Sequence, residues 1–292
     1  MSDTARQPTF RSAGIIGLGL IGGSIACDLS ALGVRVLAHD RDPAAIEMAC
    51  ADGIVDERLD ASLAGLRDAE VVILAVPVSA FHEVIAAAPP LKHARLITDV
   101  GSTKRSAIMT AEALGIGDRF VGSHPMTGDH RSGWRASRGG LFDSARVYMC
   151  RTQHTRGDAY LLAQELWQAL GARPEEIAAD AHDRLLAYAS HLPQAVSTAL
   201  ALSLVDAGVS RASLGPGGRD TTRLAGGSAE MWTAIARDNA DALLPAVTAI
   251  EGQIQRLKAT IARGDEGEIR ALFETARAWA TRNEAPSDTS LL

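Results

Sequence analysis

The sequence predicts an α/β protein with a dinucleotide-binding first half and an all-helical second half. Short apolar strands alternate with helices up to about residue 177, which is typical of a mostly parallel sheet covered by helices on both faces. No convincing strand follows that point, and the rest of the chain has a helical pattern. A glycine-rich turn between the first strand and the first helix completes the prediction.

The predicted strands of the first half are short apolar runs, as expected for strands buried on both faces. They lie at residues 14–17, 34–39, 71–76, 95–98, 120–121 and 146–150, and near residue 172. The first two helices are predicted at residues 20–32 and 43–51, the second with a proline at its start.

The second half contains helices separated by short connections, and we place the domain boundary near residue 177. Residues 1–177 then form the dinucleotide-binding domain and residues 178–292 the helical domain, with helices at 181–207, 228–239, 240–263 and 265–280. A glycine-rich stretch at 214–223 is predicted to be a loop. Residues 1–11 are expected to form a loose tail, and residues 283–292 to be disordered.

Composition excludes several classes of function. The 29 lysines and arginines against 35 aspartates and glutamates give a net charge of −6, which argues against a nucleic-acid partner. Aromatic residues make up only 4% of the chain, so base-stacking surfaces are not expected. The least charged long segment, residues 185–205, is too polar in its first half to cross a membrane.

Neither the cysteines nor the other histidines suggest a metal site. Three cysteines lie far apart and form no CxxC pair, which indicates a reducing compartment, and we expect a cytoplasmic protein. Four histidines show no zinc-ligand spacing: His82, His93, His154 and His182.

The clearest motif is the glycine turn formed by Gly17, Gly19 and Gly22. The first glycine allows a tight turn, the second lets the backbone approach a pyrophosphate, and the third permits close packing of helix and strand. The helix begins at Leu20 and Ile21, and its N-terminus favours negative charge. We therefore assign these five residues to cofactor binding rather than to an empty glycine-rich turn.

Asp40 follows the second strand, about 20 residues after the glycines, as the motif requires. A carboxylate there accepts hydrogen bonds from the ribose hydroxyls and repels a 2′-phosphate, so NAD is favoured. Arg41 could instead hold that phosphate, which keeps NADP possible. Val76, at the end of the third predicted strand, is assigned to the same cofactor site.

Two polar segments follow later strands and are expected at the carboxyl edge of the sheet, where open α/β folds bind ligands. One is 98–104, and the other contains His124 on a loop flanked by Pro125 and glycines. A histidine can be neutral at physiological pH and accept a proton, so His124 is a candidate general base. A structural loop histidine is an equally weighted alternative.

The helical half contributes His191, which precedes Pro193, and two arginines in the glycine-rich stretch, Arg219 and Arg223. Pro193 can kink the helix and expose polar groups around His191. Because arginine binds carboxylates with two parallel hydrogen bonds, the pair suggests an anionic substrate. A buried structural histidine and a surface ion-pair cluster are the alternatives.

Taken together, these residues resemble the prephenate and arogenate dehydrogenases of tyrosine biosynthesis. The resemblance covers roughly residues 12–280 and rests on the order of five motifs along the chain. They are the glycine turn with Gly23 and Ser24, the segment 98–104, His124 with Pro125 and Met126, the run 190–193, and the run 219–223 with Met231 and Trp232.

The family implies a Rossmann-type dinucleotide-binding domain, an all-helical dimerisation domain and an oxidative decarboxylation. By that resemblance, His124 accepts the proton of the ring hydroxyl, and Ser102 hydrogen-bonds near it. His191 lines the pocket, and Arg223 holds a substrate carboxylate. The resemblance thus implies NAD-dependent conversion of prephenate, a dicarboxylate, to 4-hydroxyphenylpyruvate.

The segment after His124 departs from the family pattern. Many relatives have alanine, glycine and glutamate there, whereas this chain has the run 127–131. Within it, Asp129 could favour the amine of arogenate, and His130 or Arg131 the ketoacid of prephenate. Arogenate dehydrogenase, or a dehydrogenase of an amino-substituted analogue, is therefore an alternative function.

Two further alternatives come from other classes of protein. A β-hydroxyacid dehydrogenase would need a lysine on the helical domain, where only Lys258 is present in a long regular helix. A non-catalytic dinucleotide sensor would need the glycines but neither His124 nor Arg223. Residues 185–205 are too apolar for the few remaining helices of one chain to cover, so we expect a homodimer built by the helical half.

Overall fold

The computed structural model describes residues 7–87, 91, 93–128 and 131–282, and its contacts divide the chain into two units. The first unit extends to Asp183 and includes the later segment Gly227–Asp238. The second unit contains Arg184–Gly226 and the chain from Asn239 onward. The sequence predicted one domain boundary near residue 177. The structure differs, because the chain returns to the first unit at Gly227–Asp238. No helix of the described chain is long and apolar enough to span a bilayer.

The first unit is built on an eight-stranded sheet with the order β3-β2-β1-β4-β5-β6-β7-β8. All neighbouring strands are parallel except β6 and β7. The order of the first six strands is that of dinucleotide-binding folds, so the predicted α/β class is confirmed. The strands are β1 Ser12–Ile16, β2 Arg35–His39, β3 Glu57–Arg58, β4 Val71–Leu74, β5 Leu96–Asp99, β6 Phe120–Pro125, β7 Arg146–Arg151 and β8 Arg173–Glu176.

Helices cover both faces of the sheet. Successive strand residues point to opposite faces, and the apolar side chains on each face form a separate buried core. In β1, Ile15 packs into one apolar core and Ile16 into the other. The helices are α1 Leu20–Ala31, α2 Pro43–Ala51, α3 Phe81–Ala87, α4 Arg105–Ala113, α5 Gly157–Ala169, α6 Ala179–Leu186, α7 Leu192–Asp206, α8 Pro216–Thr221, α9 Ala229–Asp238, α10 Ala240–Arg263 and α11 Glu266–Ala280.

The amino-terminal segment differs from the predicted loose tail. Residues 1–6 lie outside the described residues, but Phe10 is fully buried in the core that also contains Ile15. The aromatic side chain therefore anchors the chain before β1 begins. The predicted disorder of residues 283–292 also falls outside the described residues.

The long helix predicted at 181–207 is divided. Helix α6 ends at Leu186, a π-helical turn spans Ala187–His191, and α7 begins with Pro193 near its N-terminus. Proline has no backbone N–H and clashes with the carbonyl one turn earlier, so a regular α-helical ladder cannot run through it. The kink expected at Pro193 is thus a local widening of the helix.

The glycine-rich stretch 214–223 is not a loop throughout, as the sequence suggested. It contains the short helix α8 and leads into a 3₁₀ turn at Arg223–Gly226. Pro216 occupies the start of α8, where its missing N–H costs no hydrogen bond, and this placement starts a helix despite two following glycines.

Helices α10 and α11 of the second unit expose large apolar side chains. Helix α11 has no buried residue, and Phe273 and Trp279 on it are 62% and 79% exposed. Leu244, Ile254 and Ile261 on α10 are also exposed. Apolar side chains exposed on neighbouring helices mark an interaction surface when they are contiguous.

Candidate active site

The glycine turn after β1 has the geometry that its sequence predicts. Gly17 has a φ of +98°, and its N–H donates to the carbonyl of His39 over 2.8 Å. A Cβ at Gly17 would lie 2.3 Å from the carbonyl oxygen of Ala75, and a Cβ at Gly22 would lie 2.0 Å from that of Gly17. Both positions therefore require glycine, the first for conformation and the second for packing.

Gly19 differs from the other two glycines because a Cβ there would meet nothing within 4 Å. It is the N-cap of α1 and provides no side-chain hydrogen bond, and the first turn, which begins at Leu20 and Ile21, holds no acidic residue. The first N–H groups of a helix have no partner within it, so this end can bind an anion. The turn thus fits the pyrophosphate of a dinucleotide.

Asp40 ties the end of β2 to the glycine turn. Its carboxylate accepts hydrogen bonds from the N–H of Leu18 over 2.5 Å and of Asp42 over 2.8 Å. Arg41 is 84% exposed, and its guanidinium lies 3.6 Å from the exposed carboxylate of Glu230, so this pair is worth little. Val76 follows β4 and lies beside Gly17, within 3.4 Å of the Cβ that Gly17 lacks.

His124 lies in strand β6, not on a loop as the sequence suggested. The strand continues to Pro125, and His124 is paired with Tyr148 on the antiparallel strand β7. It is half-buried at the carboxyl end of its strand. Ser102 is half-buried in the turn between β5 and α4, and no hydrogen bond joins it to His124 in the part of the chain described.

The structure brings His124 together with two residues that sequence reasoning missed. Nδ1 of His124 lies 2.9 Å from Nε2 of His182, and Nδ1 of His182 lies 2.7 Å from a carboxylate oxygen of Asp183. The rings of His124 and His182 meet edge to face at 5.1 Å. The available sequence signal was a histidine followed directly by an aspartate in a predicted helix, and the absence of metal-ligand spacing gave no reason to single the pair out.

Asp183 is almost fully buried and accepts hydrogen bonds from the N-terminus of α4. The N–H groups of Lys104 and Arg105 donate to it over 2.8 and 3.0 Å, and Nε of Arg105 donates over 3.1 Å. Burial alone would raise its pKa, but hydrogen bonds from His182, Arg105 and Lys104 outweigh that effect and lower it to about 2. The carboxylate is therefore ionised at neutral pH.

His182 is held neutral by its surroundings. Burial lowers its pKa and Lys104 adds to this effect, while Asp183 opposes both without reversing the direction. Its ring also meets the ring of Tyr148 edge to face at 5.7 Å.

A buried ion pair fixes the strand position just before His124. Lys104 is fully buried and its ammonium bonds to Asp99. The same ammonium donates to the carbonyl of Ser123 over 2.8 Å, and Asp99 accepts from the N–H of Ser123 over 3.2 Å. Both backbone groups of Ser123 are thereby held by one ion pair.

The candidates of the helical half lie in the second unit. His191 is buried at the end of the π-helical turn, with Nδ1 3.2 Å from the side-chain amide of Asn239. Arg219 donates to the carbonyls of Leu214 and Ala212 over 2.9 and 3.4 Å, so it braces its own loop. Arg223 is exposed, and no ion pair within the described chain engages it.

The segment 127–131, which the sequence links to substrate preference, is only partly described. Asp129 and His130 lie outside the described residues, and Arg131 is exposed. Among the residues that the structure describes, no group of three or more histidine, cysteine, aspartate or glutamate side chains could hold a metal ion.

Family models match both halves of the chain. The prephenate dehydrogenase nucleotide-binding domain matches residues 25–176, and the prephenate dehydrogenase dimerization domain matches residues 178–275. The first match begins at residue 25, after the glycine turn.

Full-length relatives and solved structures agree with these matches. A prephenate dehydrogenase from Bacillus subtilis is 32% identical over 90% of this chain and 73% of its own. A cyclohexadienyl dehydrogenase from Zymomonas mobilis is 34% identical over 92% of this chain and 94% of its own. The structure of prephenate dehydrogenase from A. aeolicus in complex with hydroxyphenyl propionate and NAD+ superposes with a TM-score of 0.85, at 29% identity, over 94% of this chain and 99% of that one.

Alanine at Gly22 and at Gly19 should have separable effects. Gly22→Ala places a Cβ against the carbonyl of Gly17, which should cost about 1–3 kcal/mol of folding free energy and lower the melting temperature. Gly19→Ala should leave the melting temperature unchanged but weaken NAD binding at least about tenfold, because its methyl fills the side from which a pyrophosphate approaches. Thermal unfolding and an NAD titration measure both effects. Unchanged NAD affinity in Gly19→Ala would show that the pyrophosphate does not bind at this turn.

Proposed function

The chain belongs to the prephenate dehydrogenase family, and on that premise we propose that it oxidises and decarboxylates prephenate to 4-hydroxyphenylpyruvate with NAD. The observation that carries the proposal is His124 at the carboxyl end of β6, in a sheet with the strand order of dinucleotide-binding folds. A base and a dinucleotide turn in one rigid sheet are what a hydride transfer from an alcohol carbon needs.

The cofactor is bound by the glycine turn and its neighbours. The N-terminus of α1 binds the pyrophosphate, and Asp40 accepts hydrogen bonds from the ribose hydroxyls, which favours NAD over NADP. Val76 packs beside the turn. Bound NAD supplies the hydride acceptor.

His124 performs the proton transfer. It accepts the proton of the ring hydroxyl while the hydride leaves the same carbon. The bond between the ring and its carboxylate then breaks, carbon dioxide leaves, and the electron pair of that bond completes the aromatic ring. The former carbonyl oxygen becomes a phenolate and takes the proton back from His124, which gives the ring hydroxyl of the product. Ser102 at the turn before α4 orients the hydroxyl. A preorganised base in a half-buried position needs little reorganisation during this step.

We assign substrate carboxylate binding to Arg223, and His191 is a further candidate substrate-binding residue. The exposed guanidinium of Arg223 is available to a ligand, whereas that of Arg219 is committed to backbone carbonyls of its own loop. Arg219 is therefore the weaker candidate for binding the carboxylate. Its hydrogen bonds stabilise the backbone that leads into the helix before Arg223. Asp129 and His130 remain candidates for the substrate side chain.

Arogenate, or an amino-substituted analogue of prephenate, is the second candidate substrate. The observation that favours it is Asp129 in the run 127–131, because a carboxylate pairs with an amine.

The three unpaired cysteines fit a reducing compartment, and we place the enzyme in the cytoplasm.

Turnover decides the function directly. Incubation with NAD and prephenate should produce reduced nicotinamide absorbance, and His124→Asn should lower kcat by about 10²–10⁴-fold while substrate binding persists, because the base is lost. His154→Asn, at an exposed position, is the matched control and should leave kcat unchanged. Parallel reactions with arogenate and with NADP rank the substrates and cofactors. If neither prephenate nor arogenate is turned over, the result would support the dinucleotide-sensor alternative and reject the proposed function.

Arg223→Ala should raise KM for prephenate about 10–150-fold with little change in kcat. A charge-assisted contact of this kind is worth roughly 1.5–3 kcal/mol, and it acts equally on the ground and transition states. Lysine should restore only part of the affinity, because it lacks the planar fork. Arg219→Ala, the control, should cost less. A large KM increase in Arg219→Ala alone would reverse the assignment of the two arginines.

We further propose that the helical unit forms a homodimer. Its match to a dimerization-domain model and the exposed apolar side chains of α10 and α11 support this proposal. Light scattering at micromolar concentration should give twice the chain mass of 30.7 kDa. Phe273→Glu should lower that mass by placing a charge in an apolar interface, and a wild-type monomer would contradict the proposal.

A further inference from the structure

We propose that His182 and Asp183 act as positioning residues that fix the tautomer of His124, with the proton on Nδ1 and the lone pair on Nε2. The inference rests on the proposed function for the origin of the transferred proton. The order of hydrogen bonds itself rests only on three side chains of the first unit.

The direction of the hydrogen bonds starts at Asp183. An ionised carboxylate can only accept, and the donors from Lys104 and Arg105 surround it. Nδ1 of His182, 2.7 Å from the same carboxylate, must therefore be the donor of that bond. The ring proton of His182 is thus on Nδ1.

The second hydrogen bond follows from the first. A neutral imidazole carries one proton, so His182 with its proton on Nδ1 presents a lone pair at Nε2. Nδ1 of His124 lies 2.9 Å from that lone pair and must donate to it. Neutral His124 then has its own lone pair on Nε2, the atom that accepts a proton from the substrate.

The groups around His182 maintain this order. Lys104 on the turn before α4 opposes protonation of the ring, and its partner Asp99 on β5 and Asp183 on α6 have the opposite effect. The ring of Tyr148 on β7 meets the His182 ring edge to face, and Arg105 is engaged with Asp183. Because burial is the largest effect, His182 stays neutral and remains an acceptor toward His124.

The arrangement also stabilises the product of proton transfer. When His124 accepts the substrate proton, its Nδ1–H becomes a cationic donor to His182, whose own N–H donates to a buried carboxylate. Charge-assisted hydrogen bonds are about twice as strong as neutral ones, so the bond to His182 strengthens as the reaction proceeds. The proton need not move on to Asp183.

The tautomer can be measured without substrate. Nitrogen-15 spectra of histidine-labelled protein at about pH 8, where neutral histidine dominates, distinguish protonated from bare ring nitrogens. The signals of His124 and His182 are assigned by their loss in His124→Asn and in His182→Gln. We expect the Nδ1–H form for both residues. An Nε2–H form of His124 would overturn the proposal.

Two variants of His182 test the effect on catalysis. His182→Phe keeps the ring volume but removes the acceptor, and should lower kcat about 10–100-fold with little change in KM, as loss of an orienting partner does. The acid limb of the kcat/KM profile should move to lower pH, because cationic His124 loses its acceptor. His182→Gln places an amide oxygen near the former Nε2 and should recover much of kcat.

A structural role alone predicts a different pattern. In that case Phe and Gln would lower the melting temperature and activity together, and the pH profile would keep its position; that result rejects the proposal. Tyr148→Phe, which keeps the ring against His182 and removes only the hydroxyl, should leave kcat and the profile unchanged. If neither prephenate nor arogenate is turned over, the proposed function fails, and the spectra alone still decide the tautomer.

Discussion

The buried ion pair between Lys104 and Asp99 is the interaction on which the candidate site depends. Its side chains are 0% and 3% exposed, so both charges are removed from water and must be satisfied internally. Asp99 accepts from the N–H of Gly101 and Ser123, and Lys104 donates to the carbonyl of Ser123. The pair thus extends the contact between β5 and β6 beyond their backbone pairing, up to the residue before His124. Loss of one partner would leave an uncompensated buried charge, at a cost of about 3–5 kcal/mol.

The same segment also joins the base to its positioning residues. The side chain of Lys104 bonds to Asp99. Its backbone N–H, at the N-terminus of α4, donates to the carboxylate of Asp183. One residue therefore links the strand that carries His124 with the helix that carries His182. A shift in the turn before α4 would change both the position of the base and the acceptor behind it, so the two cannot vary independently.

Local signals were sufficient for most of the fold and for the cofactor turn, but not for the base network. Gly17 and Gly22 have short-range backbone reasons to be glycine, and strand alternation reflects burial on two faces. His124 and His182, in contrast, are 58 residues apart and Lys104 and Asp183 are 79 apart, and no sequence period encodes such contacts. The π-helical turn before Pro193 and the helix in a glycine-rich stretch were missed because single-residue propensities were overridden by their surroundings.

Burial differs between the residues assigned to chemistry and those assigned to the substrate carboxylate. His182 and Asp183 are almost fully buried and have several partners each, so substitutions there disturb packing and hydrogen bonding together. Arg223 and Arg131 are exposed, and a change of side chain at such positions leaves the core intact. Substrate preference between a ketoacid and an amino acid side chain can therefore change in the exposed segments while the proton-transfer geometry is kept.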